Sequence, residues 1–268
     1  MQGITVVSTG EAVAVVVHEL SDELKALVRD RLAGICYGSA DIVEDPEYYS
    51  FENTVEEFLK RYDTKSPTTK LGMAGELIIH SLMPEHHVDL LNTSILFNKE
   101  ERSIKKGFDL TFTTLSMDEL WYGEVKSGGV PKARPDRETL SASSKLGQLV
   151  ATAALDIHGK LTQQRNRSWW DSAMTDAAKV LQTDDAKSIK KLLRAHAGTD
   201  VDGDTGFNVL LGAVVMHESV LDKITLEASN AAAKKVTDSQ KFQQVKLLIV
   251  QQETAELLID FIRTGLGE

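Results

Sequence analysis

The sequence predicts a mixed α/β domain with a central β-sheet. From residue 70 onward, helix-like and strand-like segments follow one another as helix, three strands, helices, strand, strand and helix. The composition, 42% hydrophobic and 26% charged over 268 residues, is that of a globular chain able to bury a sizeable core. Residues 1–69 are then either an added layer on that sheet or a small N-terminal subdomain, and residues 70–268 form the main domain.

The N-terminal segment contains signals for one strand and two helices. The β-branched run Val13–Val17 predicts a strand. Ser21 is a helix-start residue and Gly34 a helix-stop residue for the amphipathic segment between them. Residues 51–62 predict a second, short helix, and residues 64–70 predict a loop.

The next part of the chain combines a helix with three strands. Residues 70–83 predict a helix that Pro84 ends. Residues 88–97, 107–115 and 119–126 have strand composition and short polar connections, which is typical of an antiparallel meander.

The C-terminal half alternates long helices with buried strands. A loop is predicted at residues 127–138. The helices predicted after it span residues 141–163, 168–182 and 185–198, the strands span residues 206–218 and 242–252, and a closing amphipathic helix spans residues 253–266.

Charge, cysteine content and motifs disfavour several classes of protein. The net charge of −10 counts against an open nucleic-acid binder, although only the charge around a site decides this. The one cysteine, Cys36, fits a reducing cytoplasm and is expected to be a buried thiol. The N-terminus lacks the features of a signal peptide and no apolar run is long enough for a membrane span. No phosphate-binding loop or serine-nucleophile motif is present.

The segment "LWYGEVKSG" places a carboxylate and an ammonium two residues apart on a strand, as Glu124 and Lys126. Side chains alternate along a strand, so these two share one face and Val125 takes the other. An ion pair at the end of a strand explains this pattern, and so does a reaction centre.

Asp109 supplies a second acid on the preceding strand. We expect its side chain on one face of that strand, with Phe108, Leu110 and Phe112 on the other. A buried acid needs a partner or a metal. If the two strands pair, Asp109 and Glu124 lie side by side and repel each other unless a divalent cation such as Mg²⁺ lies between them. A lysine on the same face, beside the substrate phosphate, can then orient or deprotonate the attacking water, or offset charge in the transition state.

Glu76 is a third candidate acid. Its helical neighbours Gly72, Ala74 and Gly75 are unusually small. Because glycine weakens a helix, these residues indicate a close approach between this helix and the sheet. Glu76 would then point toward the Asp109–Glu124 edge.

This ordered set of residues resembles the signature of the PD-(D/E)XK phosphodiesterases. That superfamily has a restriction-endonuclease-like core, with a central mixed sheet flanked by helices. It carries an acid on the second strand, Glu-x-Lys on the third and often a glutamate on the first helix. The resemblance implies a catalytic set of Glu76, Asp109, Glu124 and Lys126, with Mg²⁺ or Mn²⁺ as cofactor.

The same resemblance implies two further roles. The main-chain carbonyl of Val125 becomes a metal ligand together with Asp109, Glu124 and Glu76. Gln148 matches a glutamine that many DNA-end-processing members carry in the helix after the third strand. The chain departs from the pattern in having Phe108, rather than proline, before the acid of the second strand.

A closer resemblance is to the HamA-type nucleases of the bacterial Hachiman anti-phage system. It rests on "GMAGELIIHSLM", "ERSIKKGFDLTF" and "ELWYGEVKSG", all within residues 70–130. The resemblance implies a cytoplasmic effector that degrades DNA once a partner helicase, HamB, senses abnormal DNA.

Basic residues flank the candidate site and are candidates for nucleic-acid binding. Lys105 and Lys106 precede the second strand of the meander, and Lys132 and Arg134 follow the third. A separate basic stripe lies on one face of the helix at residues 185–198, where a solvated face, a docking face and a phosphate-binding face are all open.

Two other functions remain open on the sequence alone. One is a catalytically silent subunit that keeps the fold for contact with another protein. The other is a stand-alone restriction-type endonuclease that reads a specific DNA sequence.

Overall fold

The computed structural model describes residues 1–97, 107–130, 141–162, 167–197, 206–217, 222–253 and 255–265. The strands are β1 (Ile4–Thr9), β2 (Ala12–Val17), β3 (Leu90–Asn92), β4 (Leu110–Thr114), β5 (Leu120–Gly129), β6 (Asn208–Met216) and β7 (Gln244–Gln252). The helices are α1 (Asp22–Tyr37), α2 (Ser39–Glu44), α3 (Phe51–Asp63), α4 (Pro67–His86), α5 (Ala142–Thr162), α6 (Arg167–Val180), α7 (Thr183–Ala197), α8 (Leu226–Thr237) and α9 (Ala255–Thr264). The predicted mixed α/β class with a central sheet is confirmed.

The seven strands in the described ranges join one mixed sheet in the order β1-β2-β7-β6-β5-β4-β3. The four neighbours β2, β7, β6 and β5 pair in parallel. Every residue of β2 and β6 is buried, which explains why these strands are apolar without alternation. The predicted meander is confirmed, because β3, β4 and β5 pair antiparallel in sequence order.

The two faces of the sheet carry different helices. The core on one face contains side chains of α1, α3, α4 and α9, and the core on the other contains side chains of α5, α6, α7 and α8. Val125 belongs to the α4 side. Because side chains alternate along a strand, Glu124 and Lys126 project to the α5 side. The sheet thus lies between Glu124 and Lys126 on one side and the body of α4, the helix that contains Glu76, on the other.

The N-terminal segment adds two strands to this sheet. The prediction identified β2 but missed β1, an edge strand whose side chains are half-buried or exposed. The two strands form a hairpin in which Thr9 pairs with Ala12, and β2 then pairs with β7. The helices α1 and α3 pack in the same core as α4.

α1 extends beyond its predicted end at Gly34. An isolated glycine weakens a helix without ending it, and the helix continues to Tyr37. It ends at Gly38, whose φ of 95° is unfavourable for residues with a Cβ and whose N–H donates to the carbonyl of Gly34.

α4 is longer than predicted at both ends. It begins inside the predicted loop, because the Ser66 hydroxyl accepts from the N–H of Thr69 and Pro67 occupies the first turn, where its missing N–H is no loss. Pro84 does not end it. Pro84 lies in the last turn, and the N–H of His87 still donates to the carbonyl of Met83.

No helix was predicted between β6 and β7, where the structure has α8. Parallel neighbours require a crossover connection, and α8 provides it. Its buried residues include Ala232 and Ala233, which form a weak apolar stripe that does not stand out in the sequence. The short α2 was missed as well, within a segment rich in turn residues.

Cys36 is buried in α1, as predicted, and burial raises the pKa of its thiol. None of the helices in the described part of the chain combines the length and the apolar run needed to span a bilayer.

Candidate active site

Asp109 and Glu124 lie side by side at the end of the β4–β5 pair. The antiparallel register pairs Leu110 with Gly123. Extending this register by one residue sets Asp109 opposite Glu124, as the sequence predicts for paired strands. Gly123 permits the close pairing, because a Cβ added there would lie 2.5 Å from the Cβ of Leu110.

Phe108 departs from its predicted position. Leu110 and Phe112 pack on the α4 side of the sheet, but Phe108 packs on the opposite side against Tyr122 and Trp170. The alternation fails here because β4 begins only at Leu110, so Phe108 precedes the regular strand.

The Asp109 carboxylate is held by backbone and by a lysine. Its Oδ2 accepts a hydrogen bond of 2.8 Å from the N–H of Val125. Its Oδ1 lies 3.5 Å from the Nζ of Lys160. The hydrogen bond from the backbone of β5 fixes Oδ2 and leaves Oδ1 facing Glu124 and α5.

Glu124 is an almost fully buried carboxylate, with 3% of its side chain exposed. Its Oε1 accepts from the Nζ of Lys126 at 2.7 Å, and its Oε2 accepts from the Nζ of Lys160 at 2.5 Å. Burial raises the pKa of Glu124, and so does the negative charge of Asp109, while the two ammonium groups oppose the rise. The buried acid therefore has the charged partners that its burial requires.

Lys126 lies between two carboxylates. Its Nζ donates to Oε1 of Glu124 and also lies 2.9 Å from Oδ2 of Asp156. Burial by itself lowers the pKa of Lys126, but the charge of Glu124 and the hydrogen bonds to Glu124 and Asp156 raise it above its ordinary value. Lys126 is therefore an ammonium in this arrangement. It can hold or offset an anionic oxygen, and it can accept a proton only after these carboxylates release it.

α5 contributes two site residues that the sequence analysis missed, Asp156 and Lys160. They lie four residues apart, so they occupy adjacent turns on one helix face. The same face carries the buried residues Leu149 and Ala153 at helical spacing. This stripe was a usable signal, because a charged residue that continues a buried stripe lies at the packed side of the helix, as the half-buried Lys160 does, whereas Asp156 is exposed at the edge of the stripe.

The close approach of α4 to the sheet is confirmed at Gly75. A Cβ added to Gly75 would lie 1.7 Å from Oγ of Ser127, on the α4 side of β5. Gly72 has no such role, because a Cβ added there meets no described atom within 4 Å. Glu76 follows Gly75 directly and is half-buried. Its role as a catalytic acid stays a prediction.

Asp109 and Glu124 fit a hard divalent cation. Oxygen donors are the ligands that Mg²⁺ prefers. The facing oxygens of the two carboxylates already share one cationic group, the ammonium of Lys160. Within the described ranges, no cluster of three Asp, Glu, His or Cys side chains has the geometry of a metal site. The addition of Glu76 and the Val125 carbonyl to the ligand set is therefore a prediction that the geometry leaves open.

The predicted nucleic-acid contacts fall mostly outside the described residues. This holds for Lys105, Lys106, Lys132 and Arg134. Gln148 is described and is exposed on α5, eight residues before Asp156. Eight residues correspond to about 12 Å along a helix axis, so Gln148 lies beyond the ion-paired cluster on the same helix.

A comparison with protein-family models matches this chain to HamA over residues 12–266. The chain belongs to the HamA family. The match covers nearly the whole chain, including β2 and α1, whereas the resemblance in the sequence rested on residues 70–130 alone. The comparison with curated proteins gave no match.

HamA membership links the chain to Hachiman anti-phage defence, in which it has a role with partner subunits. The N-terminal strands belong to the matched region. The HamA fold of this chain therefore includes the β2–β7 pairing as well as the meander that carries the candidate site.

Proposed function

We propose that this HamA-family protein is a Mg²⁺- or Mn²⁺-dependent deoxyribonuclease of the PD-(D/E)XK type. It would be the effector subunit of an anti-phage complex, and a partner helicase resembling HamB would control it. The observation that carries the proposal is the pairing of Asp109 with Glu124 across β4 and β5, with Lys126 on the same face.

Each residue of this set has a distinct role in the proposal. Asp109 and Glu124 would hold the ion, and Glu76 and the carbonyl of Val125 would complete its ligands. A bound Mg²⁺ or Mn²⁺ supplies Lewis acidity toward the scissile phosphate. Lys126 moves from Asp156 toward the substrate, where its ammonium orients the attacking water and offsets the charge that develops on the phosphate.

DNA binding in this proposal is local and depends on the partner. Lys105, Lys106, Lys132, Arg134 and Gln148 are the proposed contacts to the DNA backbone. The net charge of −10 counts mildly against DNA binding by the chain alone, although the Lys and Arg residues around the site decide the contacts to phosphate. A helicase that delivers the DNA resolves this conflict and makes cleavage conditional on the partner.

The test is cleavage of plasmid DNA by the chain with its helicase partner and Mg²⁺. We expect Lys126→Ala and Glu124→Gln each to abolish degradation, and EDTA to do the same for the wild type. Loss of the lysine removes the group that acts on the water, and loss of the carboxylate removes a metal ligand. Circular dichroism and thermal unfolding check that both variants remain folded.

Lys60→Ala is the matched control. Lys60 is also paired with a glutamate, Glu56 at 3.4 Å, but it lies exposed on α3, away from the site. We expect it to cut as well as wild type. If Lys126→Ala and Glu124→Gln also cut as well as wild type, the site assignment is wrong.

A second candidate is a catalytically silent subunit, and one observation favours it. Lys126 and Lys160 already neutralise Asp109 and Glu124, as in a closed structural ion-pair network. No cleavage in any combination of metal, partner and DNA would favour this candidate. Discrete bands without the partner, rather than a smear, would instead indicate a stand-alone restriction-type enzyme.

A further inference from the structure

Lys160 occupies the space between the two candidate metal ligands. Its Nζ is 2.5 Å from Oε2 of Glu124 and 3.5 Å from Oδ1 of Asp109. The other oxygen of each carboxylate is engaged elsewhere, with the Nζ of Lys126 and the N–H of Val125. The two oxygens that face each other are therefore bridged by one ammonium, and these are the oxygen donors that would hold a divalent ion.

We propose that Lys160 is an internal cation that competes with the divalent metal for Asp109 and Glu124 and so holds the site in an inactive state. This inference rests on the proposed function. An ammonium and a divalent ion cannot both occupy the space between the two carboxylates, so metal binding requires Lys160 to move away. The contact is autoinhibitory because it lowers the affinity of the free protein for the metal.

The position of Lys160 in the fold allows this exchange. It lies in the last turn of α5, two residues before the end of the helix. Its side chain is 19% exposed, so the ammonium has a route to solvent. A lysine ammonium sits on a flexible four-carbon stem and can move without disturbing the helix backbone.

Asp156 provides a second partner for the displaced ammonium. It lies one helical turn before Lys160, and an acid four residues before a lysine is the favourable order for an ion pair on a helix. Asp156 now pairs with Lys126 at 2.9 Å. When Lys126 turns to the substrate, Asp156 becomes available to Lys160. Release of the two lysines from their present partners is thereby coupled.

The test measures Mn²⁺ binding to the full chain by titration calorimetry, without DNA or partner. We expect Lys160→Met to bind Mn²⁺ at least about tenfold more tightly than wild type, because the competing charge is gone while the carboxylates remain. Lys160→Arg keeps a cation at the site and should bind as weakly as wild type. Lys60→Met, on α3, removes a lysine far from the site and should change nothing.

A second readout covers the case in which Lys160→Met folds poorly. Lys160→Gln keeps a polar group there, and we expect its melting temperature to lie below that of wild type in EDTA but to rise more than that of wild type on addition of Mn²⁺. Mn²⁺ binding by Lys160→Met and Lys160→Gln that is equal to or weaker than wild type would overturn the inference.

Failure of the inference and failure of the proposed function give different results. If wild type degrades DNA with Mg²⁺ and the partner, but removing Lys160 does not tighten Mn²⁺ binding, only the role of Lys160 is wrong. If wild type, Lys160→Met and Lys160→Gln neither bind Mn²⁺ nor degrade DNA, the inference and the proposed function are both wrong.

Discussion

Glu124 shows at the scale of a single residue how the site balances burial and charge. Its carboxylate is nearly excluded from water, and two lysines hold one oxygen each. Removing either lysine leaves this buried carboxylate with one cationic partner in place of two, which destabilises the folded chain because a buried charge needs paired groups. The lysines therefore stabilise the folded chain in the absence of metal, and the same contacts must be exchanged for metal contacts before the proposed reaction.

His87 gives a prediction about pH and stability. It is buried at the end of α4, and burial, followed by the positive charge of Lys246, lowers its pKa to about 4. The unfolded chain therefore binds the proton more readily, so the stabilising contribution is complete above about pH 6.5 and is lost as the pH falls toward 4. Between pH 7 and 5 this residue should account for a loss of about 2 kcal/mol.

Urea unfolding of wild type and His87→Gln at pH 7, 6 and 5 measures this contribution. Glutamine keeps a neutral polar group of similar reach, so the variant should lose less stability on acidification than wild type. Equal losses of stability in the two proteins would show that the pKa of His87 does not differ between the folded and unfolded states.

At the scale of elements, the packing of α4 against β5 sets the position of the site strand. Gly75 touches Ser127, one residue after Lys126 on the chain but on the opposite face of the sheet. Gly128 lies on the other face, where a Cβ would lie 3.2 Å from Cδ2 of Leu149 on α5 and would displace the flexible end of the Lys145 side chain. The small residues around the site thus let a helix approach β5 from each side.

Two glycine substitutions on α4 test this packing. Gly75→Ala would place its Cβ 1.7 Å from Ser127 Oγ, and such overpacking costs about 1–3 kcal/mol. Gly72→Ala enters open space and should be neutral or stabilise by up to about 1 kcal/mol, because alanine favours helix. Thermal or urea unfolding separates the two cases.

A second substitution, at Ser127, tests whether the contact with this side chain causes the loss of stability in Gly75→Ala. Ser127→Gly removes the atoms that the new methyl group would meet, so it should restore part of the stability lost in Gly75→Ala. An equal effect of alanine at positions 72 and 75 would contradict the close approach.

The meander and the long helices were predictable from the sequence, but β1, α2, α8 and several contacts were not. Strand alternation was enough to put Glu124 and Lys126 on one face, and the short connection between the two strands was enough to suggest that Asp109 pairs with Glu124. Lys160 was missed because its role depends on which face of α5 packs on β5, and α8 was missed because its alanines give little periodicity. The predicted end of α4 was wrong because a proline in the last turn does not prevent the later N–H groups from bonding, and the N–H of His87 still donates to the carbonyl of Met83.

At the scale of the whole molecule, the sheet unites the two ends of the sequence. β2 lies beside β7, with five paired residues from Ala12–Leu247 to Val16–Gln251. Residues of β2 fill the cores on both faces of the sheet. The N-terminal segment was predicted to be either an added layer on the sheet or a small subdomain. Because β2 pairs with β7, removing this segment tests whether the rest of the chain folds without it.

Deletion of β1 and β2 together should prevent the chain from folding to a soluble monomer. A chain that starts at residue 19 lacks the strand that covers β7, and an exposed apolar edge strand pairs with other chains. It also lacks the valines of β2 that fill the α4-side core. Deletion of residues 1–10 removes only β1, an edge strand with half-buried or exposed side chains, and leaves the valines of β2 in the core. It exposes the apolar edge of β2 in turn, so we expect a lower melting temperature and some association, but a smaller loss than in the chain that starts at residue 19. Size-exclusion chromatography and thermal unfolding of the two truncated chains make the comparison. A monomeric chain from residue 19 with the melting temperature of wild type would show that the first two strands are separable from the sheet, and that the site on β4 and β5 is positioned without them.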